Sequence, residues 1–210
     1  DVYKRQVLGS GAISQRKVLK LIAESNGIPV ATTFNSKGII AESNPLNLGM
    51  AGTRGTPRAN YAIKNSDCII ALGARASERT FAALDEIEDK LIHVNINKKH
   101  LKGNYPIQGS VEDFLYEVDF KKADWLDELL EIDNKIAVEG LEDKTLPLRP
   151  QVAINEILNQ YKDNIIIGDA GSHITWVTLL KKSSDFGQLL FQSALGPMGY
   201  GIPGAIGAAV

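Results

Sequence analysis

The run Ile165-Ile166-Ile167 breaks at Gly168-Asp169-Ala170-Gly171-Ser172-His173 and passes directly into an apolar helical pattern. A strand that turns through small residues into a helix aims backbone N–H groups, and the positive end of the helix dipole, at one spot. That arrangement suits a phosphate. Gly171 lets a ligand approach the backbone, and Ser172 and His173 carry further hydrogen-bond donors. On these local features alone, an ordinary strand-to-helix turn is an equally good reading.

A second stretch, Ser193 to Ala208, holds five glycines and three alanines in sixteen residues. So many small side chains allow close backbone approach to a bulky partner or ligand. Met198 within it reads either as core filler or as a support beneath a ligand. Gly9-Ser10-Gly11 follows an apolar strand and precedes a helix, as half of a dinucleotide-binding fingerprint does. Ser14 stands in place of a third glycine, and no acid closes the next strand at Thr32-Thr33-Phe34. A nicotinamide dehydrogenase is therefore a poor fit. Arg75 and Arg79, just past the carboxyl end of another strand, either fork around a phosphate or pair on the surface with Glu78 or Asp85. The three histidines lack metal-ligand spacing and there is no Gly-x-Ser-x-Gly elbow, so metallohydrolase and serine-hydrolase chemistry are unsupported.

These residues need a frame that brings strand ends together. Val7-Leu8, Pro29 to Phe34, Asp67 to Leu72 and Lys90 to Ile96 read as strands. Arg16 to Ser25, Pro57 to Asn65, Phe81 to Asp89 and Val111 to Val118 read as helices between or after them. Alternation of this kind requires crossover connections and a parallel sheet covered on both faces. The expected fold class is α/β, a doubly wound parallel sheet followed by part of a second α/β domain. The second pattern has a helix over Gln151 to Tyr161, a strand over Asn164 to Ile167, a helix over Ile174 to Lys181, a strand near Leu189 to Gln192, and a glycine-rich helix. The expected domains are residues 1–119, an acidic helical connection over 120–147, and residues 148–210.

Composition narrows the function classes. A net charge of −2 offers neither a basic face for nucleic acid nor a polybasic patch for a membrane. No apolar stretch approaches the roughly 20 residues of a membrane span. Cys68, the single cysteine, lies in an apolar run and reads as a buried strand thiol, which fits a reducing, cytoplasmic setting. Asp1 to Gln6 is polar and patternless, so it is excluded from the fold as a scar, and the last helix stops in mid-pattern. Both ends read as cut.

In this order, the segments resemble the middle domain and the start of the last domain of acetolactate synthase large subunits, from Val7 to Val210. Gly27-Ile28-Pro29-Val30-Ala31-Thr32-Thr33, Lys37-Gly38, Leu48-Gly49-Met50, Ala59-Asn60-Tyr61-Ala62, Gly73-Ala74-Arg75 and Ile92-His93-Val94 carry the first part of the resemblance. Gly168-Asp169-Ala170-Gly171 with Trp176, and Met198-Gly199-Tyr200-Gly201-Ile202-Pro203, carry the second. The last of these is the most specific and recurs across thiamin-diphosphate decarboxylases and ligases.

The resemblance implies a thiamin-diphosphate enzyme that decarboxylates one 2-keto acid and joins the product to a second. Gly171, Ser172 and His173 would contact the diphosphate, the Gly196 carbonyl would accept from the aminopyrimidine, and Met198 would support the bent coenzyme. Family members are dimers or larger, and some take a regulatory subunit. The glutamate that activates the pyrimidine and the element that holds Mg2+ have no counterpart in these residues. No catalytic residue or metal ligand is therefore expected here, and the chain by itself is expected to be inert. The family's structural FAD would meet Gly9, Gly11, Thr33, Phe34, Gly52, Arg75 and Arg79. Several positions depart from the pattern: Arg54 replaces a histidine, Asn95 and Ser110 replace acids at the adenosine end, and Ser193-Ala194 replaces two glycines. These changes leave room for another thiamin-diphosphate lyase, of oxalyl-CoA or benzoylformate decarboxylase type, without flavin. A non-catalytic nucleotide-binding module is the alternative from a different class.

Overall fold

The computed structural model describes residues 4–77, 80–81, 86–134, 138, 140–192 and 195–210. The chain divides into two compact units, Asp1–Lys135 and Ile136–Val210.

The first unit is built on a six-stranded, wholly parallel sheet. Its strands are β1 (Lys4–Leu8), β2 (Val30–Thr32), β3 (Asn47–Met50), β4 (Cys68–Leu72), β5 (Leu91–Asn95) and β6 (Tyr105–Gln108). Their spatial order, β3-β2-β1-β4-β5-β6, makes the expected doubly wound fold, with the direction of winding reversing between β1 and β4. Helices α1 (Arg16–Asn26), α2 (Pro57–Asn65), α3 (Val111–Glu117) and α4 (Leu126–Glu131) flank it.

Both faces of the sheet are covered, because successive residues of each central strand are buried. Val7, Ala31, Ile69, Ala71 and Leu91 share one core with Ala59, Ala62 and Ile63 of α2 and with Trp125 and Leu129 of the α4 segment. The alternate residues Leu8, Val30, Thr32, Ile70, Leu72 and Val94 are buried as well. Local chemistry sets the helix starts. The Thr56 hydroxyl accepts the Ala59 N–H with Pro57 in the first turn of α2, and Ser110 accepts the Asp113 N–H to open α3.

Three expectations change. Lys4, Arg5 and Gln6, set aside as a scar, belong to β1 and pair with Cys68, Ile69 and Ile70 of β4. Polar side chains do not prevent this, since the pairing uses the backbone, and the Gln6 side chain is itself fully buried. Secondly, the unread strands β3 and β6 complete the sheet. β6 is Tyr105-Pro106-Ile107-Gln108, exposed throughout and carrying a proline that a central strand would not tolerate, so it occupies an edge. Thirdly, Cys68 is half-buried at the start of β4. Within the helix expected over Phe81 to Asp89, residues 82–85 lie outside the described ones, and Glu88–Lys90 form a 3-10 turn.

The loops that follow β1 and β4 cross where the winding reverses. The Gly9 N–H donates to the Leu72 carbonyl (2.9 Å) and the Gly11 N–H to the Gly73 carbonyl (3.0 Å). A Cβ on Gly9 would collide with the Ala74 Cα and the Gly73 carbonyl, and one on Gly11 would lie 2.9 Å from the Gly73 Cα. Backbone lies directly on backbone. Buried side chains of β5 brace the crossing from the other side. The Asn95 amide donates to the Ala74 carbonyl at 2.9 Å, and His93 Nε2 lies 2.8 Å from the same oxygen. The Lys102 N–H donates to His93 Nδ1 (3.1 Å), which leaves the ring proton on Nε2, directed at Ala74. Burial holds the His93 pKa below its ordinary 6.5.

The second unit contains α5 (Pro150–Gln160), β7 (Ile166–Gly168), α6 (His173–Leu180), β8 (Leu189–Phe191) and α7 (Gly201–Ala209). β7 and β8 pair in parallel, Ile166 with Leu189, Ile167 with Leu190 and Gly168 with Phe191. No described helix in either unit is long and apolar enough to cross a membrane.

Gly9→Ala should lower the unfolding free energy by about 3 kcal/mol, because neither backbone can yield at the crossing. Gly109→Ala, where an added Cβ meets nothing within 4 Å, should shift it by no more than about 0.5 kcal/mol. Urea denaturation followed by circular dichroism reads both, and equal midpoints would show that the crossing is soft. For His93, the unfolded ring binds a proton near pH 6.5 and the folded ring only at lower pH, so the unfolded chain holds more protons across that window. Stability should be full above pH 6.5 and fall as pH drops toward the folded pKa. His93→Asn should flatten this slope in denaturation curves recorded from pH 7.5 down to 5.

Candidate functional site

In the second unit, two turns leave the carboxyl ends of neighbouring parallel strands, the place where α/β sheets present ligands. The first follows β7 and runs Asp169-Ala170-Gly171-Ser172 into α6. The second follows β8 and is described at Gln192 and from Leu195 to Tyr200, where it enters α7. Their adjacency is a direct result of β7 and β8 pairing.

One side chain ties them together. Asp169 Oδ1 accepts the Ala170 N–H (2.6 Å) and the Gly199 N–H (2.9 Å), and Oδ2 accepts from Gly199 (3.1 Å) and Gly201 (3.0 Å). The backbone N–H of Gly201, followed by that of Ala170, holds the Asp169 carboxyl below the ordinary carboxylate range. At the other end of the second turn, Gln192 Oε1 accepts from Leu195 (3.0 Å) and Gly196 (3.4 Å). Asp169 is thus committed to backbone amides. Among the described residues, no group of three or more His, Cys, Asp or Glu side chains is placed to hold a metal ion.

The expected contact residues fall on these two turns. Gly171 and Ser172 are exposed at the entry to α6, and His173, half-buried, is its first residue. The His173 ring lies against the Gly171 Cα, where an added Cβ would sit 2.9 Å from Nδ1. Helix α6 opens without a side-chain cap; the Ile174 and Thr175 N–H groups donate to the Gly171 and Ser172 carbonyls (3.2 and 3.1 Å), and the positive end of the helix dipole lies at this turn. Gly196 and Gly199 adopt left-handed φ values of 60° and 88°, with nothing within 4 Å of an added Cβ. Their glycine identity follows from backbone conformation and leaves open space outward. Met198 is 90% exposed, so it fills no core in this chain. Leu195, Ile202 and Ile206 are exposed as well. Ser193 and Ala194 lie outside the described residues.

Asp169 and Gln192, whose side chains hold the second turn, are not among the contact residues expected from the sequence. An acid at a strand end, within reach of a glycine turn with surplus N–H groups, is the signal that could have found the first of them.

In the first unit, most residues expected to meet a flavin bond to the protein instead. The cradles at Gly9 and Gly11 are filled by the backbone of residues 73–74. The Gly52 N–H and carbonyl both bond the Asn60 side chain, at 3.0 and 2.9 Å. The Thr33 N–H donates to Ser36 Oγ at 2.8 Å, in a reciprocal cap that opens the short 3-10 turn Phe34–Ser36. Asn95, where the resemblance implies an acid at the adenosine end, donates to Ala74 and accepts from the Asn97 N–H at 2.9 Å. Ser110 is spent as the α3 cap. Arg75 is exposed just beyond β4, and Glu78, Arg79 and Asp85 lie outside the described residues.

Two family descriptions match the chain: "Thiamine pyrophosphate enzyme, central domain" over residues 6–118, and "Thiamine pyrophosphate enzyme, C-terminal TPP binding domain" over residues 169–210. The chain is 33% identical to a probable acetolactate synthase large subunit of Methanocaldococcus jannaschii, over 97% of its own length and 37% of the relative's. It is 33% identical to the acetolactate synthase large subunit of Cyanidium caldarium, over 97% of this chain and 38% of that one. To the acetolactate synthase isozyme 1 large subunit of Escherichia coli K12 it is 30% identical, over 99% of this chain and 39% of that one. The chain therefore spans well under half the length of these relatives. A doubly wound first unit matched as a central domain, and a second unit whose paired turns fall within the match to a coenzyme-binding domain, place this chain in the thiamine pyrophosphate enzyme family.

Proposed function

We propose that this chain forms part of an acetolactate-synthase-type carboligase and that its second unit holds one side of thiamin diphosphate. The observation that carries this reading is the meeting of the two turns through Asp169. An uncapped helix start and an open glycine turn, side by side, offer a place for an anionic group and for a flat ring. Gly171, Ser172 and His173 would receive the diphosphate. The Gly196 carbonyl would accept from the aminopyrimidine, with Met198 beneath the coenzyme. When bound, thiamin diphosphate supplies an electron sink that lets a 2-keto acid lose carbon dioxide. The residues of this chain hold and orient it, and the exposed apolar side chains of Leu195, Met198 and Ile202 keep water from one side once covered.

The substrates of this reading are small 2-keto acids, and the setting is cytoplasmic. The relatives' name, large subunit, supports assembly with a further subunit, and a homo-oligomer is the expected unit. Residues 1–119 would form the middle domain and residues 148–210 part of the coenzyme domain, with 120–147 between them. Trp125 and Leu129 nonetheless pack into the first unit's core. Mg2+ would take its ligands from outside this chain, since both Asp169 oxygens already accept backbone N–H groups. The first unit is a poor match for a flavin's adenosine end in this reading: Asn95 and Ser110, where the resemblance implies acids, carry no charge and already accept backbone N–H groups. No flavin contact enters the reading. A nucleotide-binding module without catalysis would have no use for the second pair of turns.

Nuclear magnetic resonance of the 15N-labelled chain tests the coenzyme site even at millimolar affinity. Adding thiamin diphosphate with Mg2+ should move the amide signals of Ser172, His173 and Gly196 to Met198 while leaving β1 to β6 unmoved. A titration that moves neither turn sinks the reading. Incubation with FAD followed by gel filtration should leave no 450-nm absorbance on the protein, and stoichiometric retention would overturn the misfit at Asn95 and Ser110.

A further inference from the structure

The second turn has little of its own to keep its shape. Residues 195–199 are exposed, Gly196 and Gly199 carry no Cβ, and added Cβ atoms there would touch nothing. Glycine segments pay the largest loss of backbone freedom when ordered, and here no packing offsets it. Among the described residues, side chains hold it by hydrogen bonds at the two ends, Gln192 at the start and Asp169 at the finish. Asp169 differs from Gln192 in belonging to both turns. Its backbone lies in the first, between Gly168 and Ala170, and its carboxylate gathers N–H groups of the second. Strand pairing sets where the two turns begin, and the Asp169 side chain ties the far end of the second turn to the first.

We propose that Asp169 is the positioning residue of this site: its carboxylate, by accepting the Gly199 and Gly201 N–H groups, fixes the second turn in the form that receives the coenzyme. The proposal rests on the coenzyme reading above. Chemistry at position 169 is narrowly constrained by it. Three N–H groups converge on the carboxylate, those of Gly199 and Gly201 from the second turn and that of Ala170 from the first, so both oxygens accept, and charge strengthens each bond. Asparagine keeps the shape and replaces one acceptor with a donor, which opposes an incoming N–H. Glutamate keeps both acceptors on a stem one methylene longer.

The test uses the same labelled chain and the same titration with thiamin diphosphate and Mg2+. In Asp169→Asn, the dissociation constant should rise about tenfold, as for loss of one charge-assisted bond. The coenzyme-induced shifts of Gly196 to Met198 should shrink relative to those of Ser172 and His173. Asp169→Glu should recover at least half of the second-turn response. Wild-type behaviour of Asp169→Asn would overturn the proposal, as would a Glu variant as impaired as the Asn variant. If Asp169→Asn loses the β7 and β8 amide signals, an acid titration of the wild-type chain decides instead. The Gly199 and Gly201 amide protons should then move in step with the Asp169 carboxyl carbon, and amides indifferent to that carboxyl overturn the proposal. A wild-type chain whose turns ignore the coenzyme refutes the coenzyme reading itself, and this inference with it, a result distinct from wild-type and Asn chains responding alike.

Discussion

A carboxylate that accepts backbone N–H groups from two neighbouring turns is the constraint on which the second unit's site depends. Parallel pairing of β7 with β8 brings the turns side by side, because strands that run together end together. Pairing alone would leave the longer turn, with left-handed glycines and exposed residues on both sides, free to take many shapes. Asp169 removes that freedom with hydrogen bonds that survive exposure because one partner is charged. An uncapped helix start stands on one side and an open glycine turn on the other.

The first unit solves a related problem with the opposite means. At its reversal of winding, close contact comes from the absence of side chains, with Gly9 and Gly11 lying on the backbone of residues 73–74. Polar groups then lock the crossing from β5, where His93 and Asn95 share the Ala74 carbonyl. A neutral, buried histidine is suited to this, since one ring nitrogen accepts from Lys102 while the other donates to Ala74. The glycines that mimic a dinucleotide fingerprint are accounted for by this packing. Their spacing in sequence cannot distinguish a backbone that approaches a phosphate from one that approaches another loop.

Much of the fold was legible from the order of residues. β4 and β5 are short, apolar and flanked by turn residues, and the helices α1, α2, α5 and α6 show their apolar faces or caps within about a turn of their observed bounds. The edge strands escaped because the cues that mark a buried strand are missing from them. β6 is exposed and contains proline, and β3 contains Gly49. The amino-terminal half of β1 escaped because Lys4-Arg5-Gln6 has no apolar pattern, yet main-chain pairing with β4 and β2 holds it in the sheet.

For this protein, periodicity and the order of strands and helices by themselves determined the fold class, while particular motifs carried the resemblance to a thiamin-diphosphate enzyme. They also located the two turns that matter, since glycine content and apolar period are written residue by residue. Tertiary structure decided what those turns do to each other. Only in three dimensions does Asp169 reach from one strand end to amides some 30 residues further along the chain. Only there are the cradles of Gly9 and Gly11 seen to be full. Hydrogen bonds between distant segments depend on strand pairing and side-chain reach, and neither is encoded in the spacing of residues along one dimension.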